Sequence, residues 1–442
     1  MSNIGKKPIN FSLGEHQTLS TININSISVI GLGYIGLPTA AMFASCGKHV
    51  VGVDISQDAV DIINDGRIHI VEPGLEDLVK EVVHDGFLRA TTVTESADVF
   101  VIAVPTPFLP LSDGESIPKP DLSYIKSASV AVAKVLKRGD LVILESTSPV
   151  GATEKMAGWL ADERQDLTFP QTHSDQSDIR VAHCPERVLP GNVIKELVTN
   201  DRVIGGMTRS CSDAAIGVYK LFVQGSCRAT NARTAEMAKL TENASRDVGI
   251  AFANELSLIC DKLDINVWEL IELANLHPRV NILQPGPGVG GHCIAVDPWF
   301  IASEAPAEAR LITLARRVND GKKDWVVGEI ENAVDSHLKK GVKNILFLGL
   351  AFKPNIDDLR ESPARYIVKK IVSSAIGNVF VVEPNISELP KSLVSQAELI
   401  GLQQGLALAD IVVILVAHSD FDANLIKSMP QLVIIDTCGL LH

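Results

Sequence analysis

Short apolar runs alternate with amphipathic stretches along most of the chain, and this pattern predicts strands separated by helices. The runs are rich in β-branched residues and fall into two blocks. Continuous apolar strands between helices are typical of a parallel, doubly wound α/β sheet, in which helices cover both faces. The predicted strands are 27–30, 49–55, 98–104, 141–145, 180–182 and 202–204 in the first block, and 344–348, 379–382, 411–416 and 432–435 in the second.

The segment between the two blocks has a different pattern. From Thr234 to Leu276 there is no proline and little glycine, and apolar residues recur at helical spacing. This predicts one long helix, followed by a shorter helix after Asp264. A long helix with apolar faces often builds a dimer interface, and packing within its own subunit is the alternative.

A glycine-rich turn follows the first predicted strand and opens a helix. Its glycines are Gly31, Gly33 and Gly36, and Asp54 ends the next strand, 18 residues after Gly36. A G-x-G-x-x-G turn with an acid at this position is typical of a dinucleotide site, where the acid binds the adenosine ribose. A carboxylate there repels a 2′-phosphate, so NAD is predicted over NADP. Thr106 and Thr147 end later strands, where they could line the nicotinamide side or be ordinary turn residues.

A second glycine-rich loop, residues 286–291, leads to one thiol, Cys293. Glycines let a backbone approach a ligand closely, so the loop favours a presented nucleophile over a packed core cysteine. The adjacent His292 is equally compatible with ligand contact and with loop packing. Asp297, four residues after the thiol, could orient a lysine or a water.

Two polar residues share one face of the predicted long helix. Lys239 and Asn243 are four residues apart, so they could stabilise an oxyanion and move protons together, and a solvated helix face is the alternative. In the second block, the loop after Gly349 lacks the dinucleotide glycines and offers Lys353. This favours a nucleotide held partly by a lysine charge.

Composition narrows the function classes. A net charge of −13 argues against nucleic-acid partners and against binding to an anionic membrane. No apolar run reaches the roughly 18 residues of a membrane span. The seven cysteines are scattered without a CxxC pair, so neither a metal site nor a disulfide framework is predicted, and a reduced, cytoplasmic protein is expected. Residues 1–25 are polar and predict a disordered tail.

The motifs in chain order resemble a known family. The set G-x-G-Y-I-G, P-T-P, S-T-S-P-V-G, C-P-E-R, T-A-E-x-x-K-x-x-x-N, G-x-G-G-x-C-x-x-x-D and G-L-A-F-K-P-N-x-D-D-x-R-E-S-P is similar to the nucleotide-sugar 6-dehydrogenases. That family includes the UDP-glucose and GDP-mannose dehydrogenases. The resemblance runs from about Ile27 to Asp436.

The resemblance implies three domains and a homodimer. After the tail come an NAD-binding domain at 26–228, a central helical dimerisation and catalytic region at 229–325, and a UDP-sugar-binding domain at 326–442. The implied reaction is a four-electron oxidation at C6 of the sugar, in which Cys293 carries a thiohemiacetal and then a thioester.

The resemblance also implies roles for individual residues. Lys239 would transfer protons and stabilise the oxyanion, Asn243 and Asp297 would hold water or the C6 oxygen, and Glu186 would assist thioester hydrolysis. Tyr34 and Ile35 belong to the cofactor loop, and Arg360 would reach the cofactor. The implied substrate contacts are Arg187, Val188, Lys239, Asn243, Arg246, His277, Arg279, Gly290, Phe352 and Lys353.

Two variants within the motifs concern the sugar. The stretches H-C-P-E-R-V-L-P-G and G-H-C-I-A-V-D-P-W are similar to the N-acetylhexosamine branch, which acts in surface polysaccharide synthesis. They predict UDP-N-acetyl-D-mannosamine as the substrate, with UDP-N-acetylglucosamine as the alternative. Val296 stands where UDP-glucose enzymes carry lysine, and Cys438 stands where relatives usually carry a basic residue.

Overall fold

The structure is a computed structural model that describes residues 24–111, 114, 116–189, 191–291, 293–337 and 343–442. Most of the predicted tail (residues 1–23) and His292 therefore lie outside the described residues. The chain divides into two compact units, the first ending at Leu240 and the second beginning at Thr241. No helix in the described ranges is long and apolar enough to cross a membrane.

The first unit is built on an eight-stranded sheet. Its strands are Ser26–Ile30 (β1), His49–Val53 (β2), Leu88–Thr91 (β3), Val99–Ile102 (β4), Leu141–Leu144 (β5), Arg180–His183 (β6), Arg202–Gly206 (β7) and Cys227–Asn231 (β8). They lie in the order β3-β2-β1-β4-β5-β6-β7-β8. All neighbouring pairs are parallel except β6 and β7, which pair antiparallel. The alternating crossovers confirm the doubly wound prediction.

Helices cover both faces of this sheet. They are Gly36–Ser45 (α1), Gln57–Asn64 (α2), Leu75–His84 (α3), Ser123–Ala133 (α4), Ala152–Glu163 (α5), Pro170–His173 (α6), Val193–Thr199 (α7) and Arg209–Tyr219 (α8). Successive strand residues enter opposite cores: Val29 packs on one side and Ile30 on the other. The predicted long helix is confirmed as Ala232–Lys262 (α9), 31 residues that begin in the first unit and continue into the second.

The second unit contains the remaining helices and a smaller sheet. The helices are Val267–Asn275 (α10), Asp297–Glu304 (α11), Arg310–His337 (α12), Pro363–Ser374 (α13), Leu402–Leu408 (α14) and Ala423–Lys427 (α15). The strands are Asn344–Leu348 (β9), Asn378–Val382 (β10), Glu398–Leu399 (β11), Ile411–Ile414 (β12) and Val433–Asp436 (β13). They form an all-parallel sheet in the order β11-β10-β9-β12-β13, again with a core on each face. The second doubly wound sheet is therefore confirmed.

Candidate active site

The first glycine turn has the packing that a dinucleotide loop needs. A Cβ at Gly36 would lie 1.8 Å from the carbonyl oxygen of Gly31, so this position admits only glycine. A Cβ at Gly33 would meet nothing within 4 Å, which leaves an open approach above the start of α1. Tyr34 and Ile35 complete the turn, and Ile35 is the residue that precedes α1. The turn thus fits a pyrophosphate against a helix N-terminus.

Asp54 stands immediately after β2, beside this turn. Its Oδ2 accepts the N–H of Leu32 at 2.9 Å, and its Oδ1 accepts the N–H of Ser56 at 3.0 Å. The carboxylate is half-buried and keeps room for further donors. Its position at the carboxyl end of β2, next to the glycine turn, fits the hydroxyls of an adenosine ribose.

Replacing Asp54 with alanine is expected to weaken NAD binding and to narrow the preference for NAD over NADP. Hydrogen bonds to a charged group contribute roughly 1.5–3 kcal/mol, so we expect a loss of about 10- to 100-fold. Kd values for both cofactors would be measured by calorimetry. Asp58→Ala, an exposed acid in the first turn of α2, is the matched control. A wild-type protein that binds NADP as well as NAD contradicts the ribose assignment.

Thr106 and Thr147 follow β4 and β5, at the same edge of the sheet as the glycine turn. The Oγ1 of Thr106 is buried and has no hydrogen-bond partner among the described residues. A hydroxyl of this kind fits contact with a bound group. Thr147 is half-buried in the loop before α5. Their contact with the nicotinamide stays a prediction.

Glu186 lies in the loop after β6 and is only 5 % exposed. Its carboxylate accepts the N–H of Val188 and pairs with the Arg202 guanidinium at 3.3 Å. Burial raises the pKa of Glu186, while the charges of Arg202 and Lys239 oppose the rise. The structure thus brings together Glu186 and Lys239, two of the predicted catalytic residues. A carboxyl group held in this way can act as a base near neutral pH.

The adjacent Arg187 is anchored by the backbone. It is half-buried, and its Nη1 donates to the carbonyl oxygen of Asp201 at 2.9 Å. Val188 packs against the core on one face of the sheet. Both residues lie in the loop that carries Glu186, as a contact to the same substrate requires. Their contact with a sugar stays a prediction.

One acid of the T-A-E motif has a structural role. Glu236 accepts the N–H of Gly151 at 2.6 Å and both the N–H and the hydroxyl of Thr153 at 2.8 and 2.6 Å. It therefore caps the N-terminus of α5 and fixes the beginning of α9. Through the residues before α5, this cap also holds the loop that contains Thr147.

In the second unit, the cysteine loop is packed between helices and the loop after β9. Gly286 donates its N–H to Asn254 Oδ1 on α9 at 2.9 Å. A Cβ at Gly290 would lie 2.7–2.8 Å from atoms of Pro363, Glu361 and Phe352, so the two loops touch at this point. The predicted substrate residues Gly290 and Phe352 are thereby brought together.

Cys293 is exposed, whereas the other six cysteines, which are also within the described ranges, are buried or half-buried. Its carbonyl oxygen accepts the N–H of Asp297 at 2.8 Å as α11 begins. Asp297 is buried, and its Oδ2 accepts Asn243 Nδ2 at 2.6 Å. The predicted residues Cys293, Asn243 and Asp297 therefore form one local group. Such a group presents a thiol beside a polar pair that can bind an oxygen atom.

A buried polar network behind this group was not predicted from the sequence. Asn254 Nδ2 donates to Asn319 Oδ1 at 2.9 Å, and Asn319 Nδ2 donates to Asp247 Oδ1 at 2.8 Å. Arg316 Nη1 also donates to Asp247 Oδ1, at 2.6 Å. These side chains connect α9 and α12 to the first residue of the cysteine loop. The signal in the sequence was spacing: Asp247 and Asn254 are seven residues apart on α9, and Arg316 and Asn319 are three apart on α12, so each pair shares a helix face.

An acid after the neighbouring strand holds the loop after β9, just as Asp54 holds the first glycine turn. Glu383, after β10, accepts the N–H groups of Leu350 and Ala351 at 2.7 and 3.0 Å and the Nε2–H of buried His418 at 3.0 Å. Burial alone would raise the pKa of Glu383, but these hydrogen bonds lower it to about 2. The acid therefore holds the loop that presents the half-buried Phe352 and Lys353.

Other predicted contacts lie at the surface of the second unit. Arg246, His277 and Arg279 are exposed, and His277 Nδ1 accepts the N–H of Arg279 at 3.3 Å. The Nε of Arg360 pairs with Asp358 at 2.9 Å within one turn. Contact of these side chains with substrate or cofactor stays a prediction.

The two units contain different functional features. The first has a glycine turn that fits a dinucleotide, an acid placed beside that turn and a buried carboxyl beside a lysine. The second has an exposed thiol, an amide–carboxylate pair and a loop that carries a lysine. This combination defines the class of NAD-dependent dehydrogenases that act on a nucleotide-linked substrate.

Comparison with known proteins gives the family within this class. Residues 25–223 match the NAD-binding domain of the UDP-glucose/GDP-mannose dehydrogenase family, 233–321 its central domain and 346–442 its UDP-binding domain. The chain belongs to this family, which confirms the predicted resemblance and NAD as the cofactor. The predicted boundaries at 228/229 and 325/326 stay predictions.

Individual relatives are similar over nearly the whole chain. The UDP-N-acetyl-D-mannosamine dehydrogenase of Campylobacter jejuni is 62% identical over 90% of this chain and 96% of its own. The NDP-N-acetyl-D-galactosaminuronic acid dehydrogenase of Ralstonia nicotianae is 60% identical over 95% and 97%. A solved structure of a UDP-D-ManNAc dehydrogenase from Pyrococcus horikoshii has a TM-score of 0.83 at 41% identity and covers 94% of this chain and 96% of its own.

Proposed function

We propose that the protein oxidises the C6 hydroxyl of UDP-N-acetyl-D-mannosamine to a carboxylate, with Cys293 as the covalent nucleophile. The observation that carries the proposal is the exposed thiol beside the Asn243–Asp297 pair. The named activity of the Campylobacter jejuni relative supports the choice of sugar. The Ralstonia nicotianae relative is almost equally similar, so a galacto-configured N-acetyl sugar is a second candidate beside UDP-N-acetylglucosamine.

The chain's own residues account for the covalent steps. Each NAD molecule, when bound, accepts one hydride, so two molecules of NAD accept the two hydrides of the reaction. After the first oxidation, Cys293 Sγ adds to the C6 aldehyde and forms a thiohemiacetal. Lys239 donates to the developing oxyanion, and Asn243 and Asp297 hold the oxygen in place. Loss of the second hydride leaves a thioester, and Glu186 takes a proton from the water that attacks it. The C–S bond then breaks, which releases the carboxylate and the thiol.

Incubation with NAD and UDP-N-acetyl-D-mannosamine tests the proposal directly. We expect two NADH formed for each uronate released, measured by absorbance and by chromatography of the sugar nucleotide. Formation of one NADH with release of a free aldehyde would contradict the thioester route. The reaction requires a reduced thiol, which favours the cytoplasm. The uronate product is suited to a glycosyl transfer that builds an acidic surface polysaccharide.

We further propose that the functional form is a homodimer built on α9 and α10. Phe252 and Ile259 lie seven residues apart on one face of α9, and Leu263 directly follows this helix. Leu273 lies on α10, and Leu276 directly follows it. These five side chains are 46–78% exposed. Exposed large apolar side chains in this number indicate an interface, and a second copy of the chain is the occupant that the family resemblance favours.

Mixing two inactive variants is expected to restore activity if Arg279 serves the partner's site. In an Arg279→Ala and Cys293→Ala heterodimer, one of the two sites has both residues intact. Random exchange in an equal mixture then gives about a quarter of wild-type activity. NADH formation would be followed after the exchange, with each variant incubated alone as the control. Activity no greater than the sum of the parents, or full activity in a monomer, contradicts the proposal.

A further inference from the structure

Glu186 belongs to a buried cluster that contains a second carboxyl group, Glu145. Glu145 directly follows β5. Its Oε1 lies 3.7 Å from Arg202 Nη1 and accepts the Tyr219 hydroxyl at 2.9 Å. Arg202 Nη2 lies 3.3 Å from Glu186 Oε1, and the Arg202 guanidinium stacks 4.9 Å from the Tyr219 ring centre. One guanidinium therefore lies between two carboxyl groups.

The cluster is closed to water. Glu145, Arg202 and Tyr219 are at most 3% exposed and Glu186 is 5% exposed. The second oxygen of Glu145, Oε2, is buried and accepts no hydrogen bond of good geometry within the described residues, although the nearby Thr39 hydroxyl acts to lower the pKa of this carboxyl. Isolating an ionised carboxylate in this way is costly, so a proton on Glu145 is favoured.

Glu145 and Glu186 have different charged and titratable neighbours. Glu145 faces Arg202, Glu186, Tyr219 and the buried Cys184 thiol. The charge of Lys239 lowers the pKa of Glu186, and the charge of Glu196 raises it. Burial raises the pKa of Glu145 to about 7, and the Glu186 charge adds to the rise. Two cationic groups, Arg202 and Lys239, oppose the rise at Glu186, whereas Arg202 alone does so at Glu145, and Glu145 keeps its proton until near neutral pH.

We propose that Glu145 and Arg202 are positioning residues for Glu186, and that the charge state of Glu145 sets how strong a base Glu186 is. This inference rests on the role proposed for Glu186 in thioester hydrolysis. While Glu145 is neutral, Arg202 is fully available to Glu186 and holds its proton affinity down. Once Glu145 ionises, it competes for Arg202 and repels the Glu186 charge. Glu186 then takes the proton of the attacking water more readily, as the C–O bond forms and the C–S bond to Cys293 breaks.

The pH dependence of uronate release in a single turnover tests the proposal. Release would be measured by chemical quench after both NADH molecules have formed, between about pH 5.5 and 9. The wild type is expected to show a rise in rate near the Glu145 pKa of about 7. Glu145→Gln should lack that rise and be about three- to tenfold slower at the alkaline end, with unchanged KM for both substrates. Tyr219→Phe should move the rise to higher pH, because the lost hydrogen bond had favoured ionised Glu145.

Asp140→Asn is the matched control. Asp140 is a buried acid that immediately precedes β5, at the end of the strand opposite Glu145, and it pairs with Lys137 at 3.0 Å. This variant should keep the rise near pH 7. An unchanged profile in Glu145→Gln, or an equal loss of the rise in Asp140→Asn, would overturn the proposal. If Glu145→Gln does not fold, an unshifted profile in Tyr219→Phe would also overturn it.

A second measurement separates this inference from the proposed function. Because the folded-state pKa of Glu145 is raised, its contribution to stability is present at low pH and is lost as the pH rises through about 7. The Tm of the wild type should therefore fall relative to Glu145→Gln between about pH 5 and 8. A constant Tm difference overturns the inference even in an active enzyme. An inactive wild type with the expected Tm trend refutes only the proposed function.

Discussion

Cys293→Ala is expected to abolish uronate formation while NAD and UDP-sugar still bind. The exposed thiol lies at the end of the glycine loop, beside the Asn243–Asp297 pair. Without the sulfur atom neither the thiohemiacetal nor the thioester can form, so we expect the rate to fall by roughly 10⁴-fold or more. Chromatography of the sugar nucleotide measures uronate formation, because the first oxidation alone can still form NADH without the thiol. Calorimetry measures both Kd values.

The matched control for this variant is Cys227→Ala. Cys227 is a half-buried thiol on the edge strand β8, and no role in the chemistry is proposed for it. Its variant should keep the wild-type rate. Continued uronate production by Cys293→Ala at near wild-type rate would end the covalent mechanism.

The second large effect concerns the sugar: kcat/KM for UDP-N-acetyl-D-mannosamine should greatly exceed that for UDP-glucose. Hydride transfer requires C6 within about 3–3.5 Å of the nicotinamide carbon, so the ring must be held in one pose. UDP supplies affinity common to both sugars, and the C2 substituent must supply discrimination. A site that hydrogen-bonds an amide has unpaired polar groups when only a hydroxyl is present, which can cost on the order of 10⁴-fold.

The predicted contacts to the acetamido group are Arg187, Val188, His277 and Arg279. The experiment compares kcat/KM for UDP-N-acetyl-D-mannosamine, UDP-N-acetylglucosamine, UDP-N-acetylgalactosamine and UDP-glucose under one set of conditions. We expect the two other N-acetyl sugars to be weak substrates, because UDP-N-acetylglucosamine differs in configuration at C2 and UDP-N-acetylgalactosamine differs at both C2 and C4. Similar values for UDP-glucose and UDP-N-acetyl-D-mannosamine would contradict the N-acetyl specificity. A preference for another N-acetyl sugar would replace the substrate assignment alone.

The predictable part of the fold is the part with a continuous apolar pattern. All ten strands expected from the sequence are present, with ends that differ by a few residues. The strands β3, β8 and β11 were not predicted. All three are edge strands of their sheets. Buried and exposed residues alternate in β3, and no residue of β8 or β11 is fully buried. An edge strand of this kind lacks the continuous apolar run by which the other strands, including the edge strand β13, were found.

The residues of the candidate site also fall into a group that the sequence could predict and a group that it could not. Asp54 and Cys293 could be predicted because each lies near a glycine-rich turn, and such a turn requires glycine at fixed positions of the sequence. Glu145 and Asn254 could not, because their importance comes from partners distant in the chain. Glu145 meets an arginine from β7 and a tyrosine from α8, and Asn254 meets α12. Only the assembled fold supplies these pairings. The antiparallel pairing of β6 and β7, which brings Arg202 toward Glu186, was also outside the strand pattern.

The saturation of Glu383 bears on where the adenosine half of the cofactor is expected to bind. In the described residues, its two oxygens accept five hydrogen bonds, from Leu350, Ala351, His418 and both nitrogens of Asn385. A carboxylate offers about four lone-pair positions, so Glu383 has no capacity left for a diol. Asp54 accepts two hydrogen bonds, from Leu32 and Ser56, and retains capacity for the two hydroxyls of a ribose. The adenosine ribose is therefore expected at Asp54 and not at the loop after β9, which is left to the other nucleotide of the reaction.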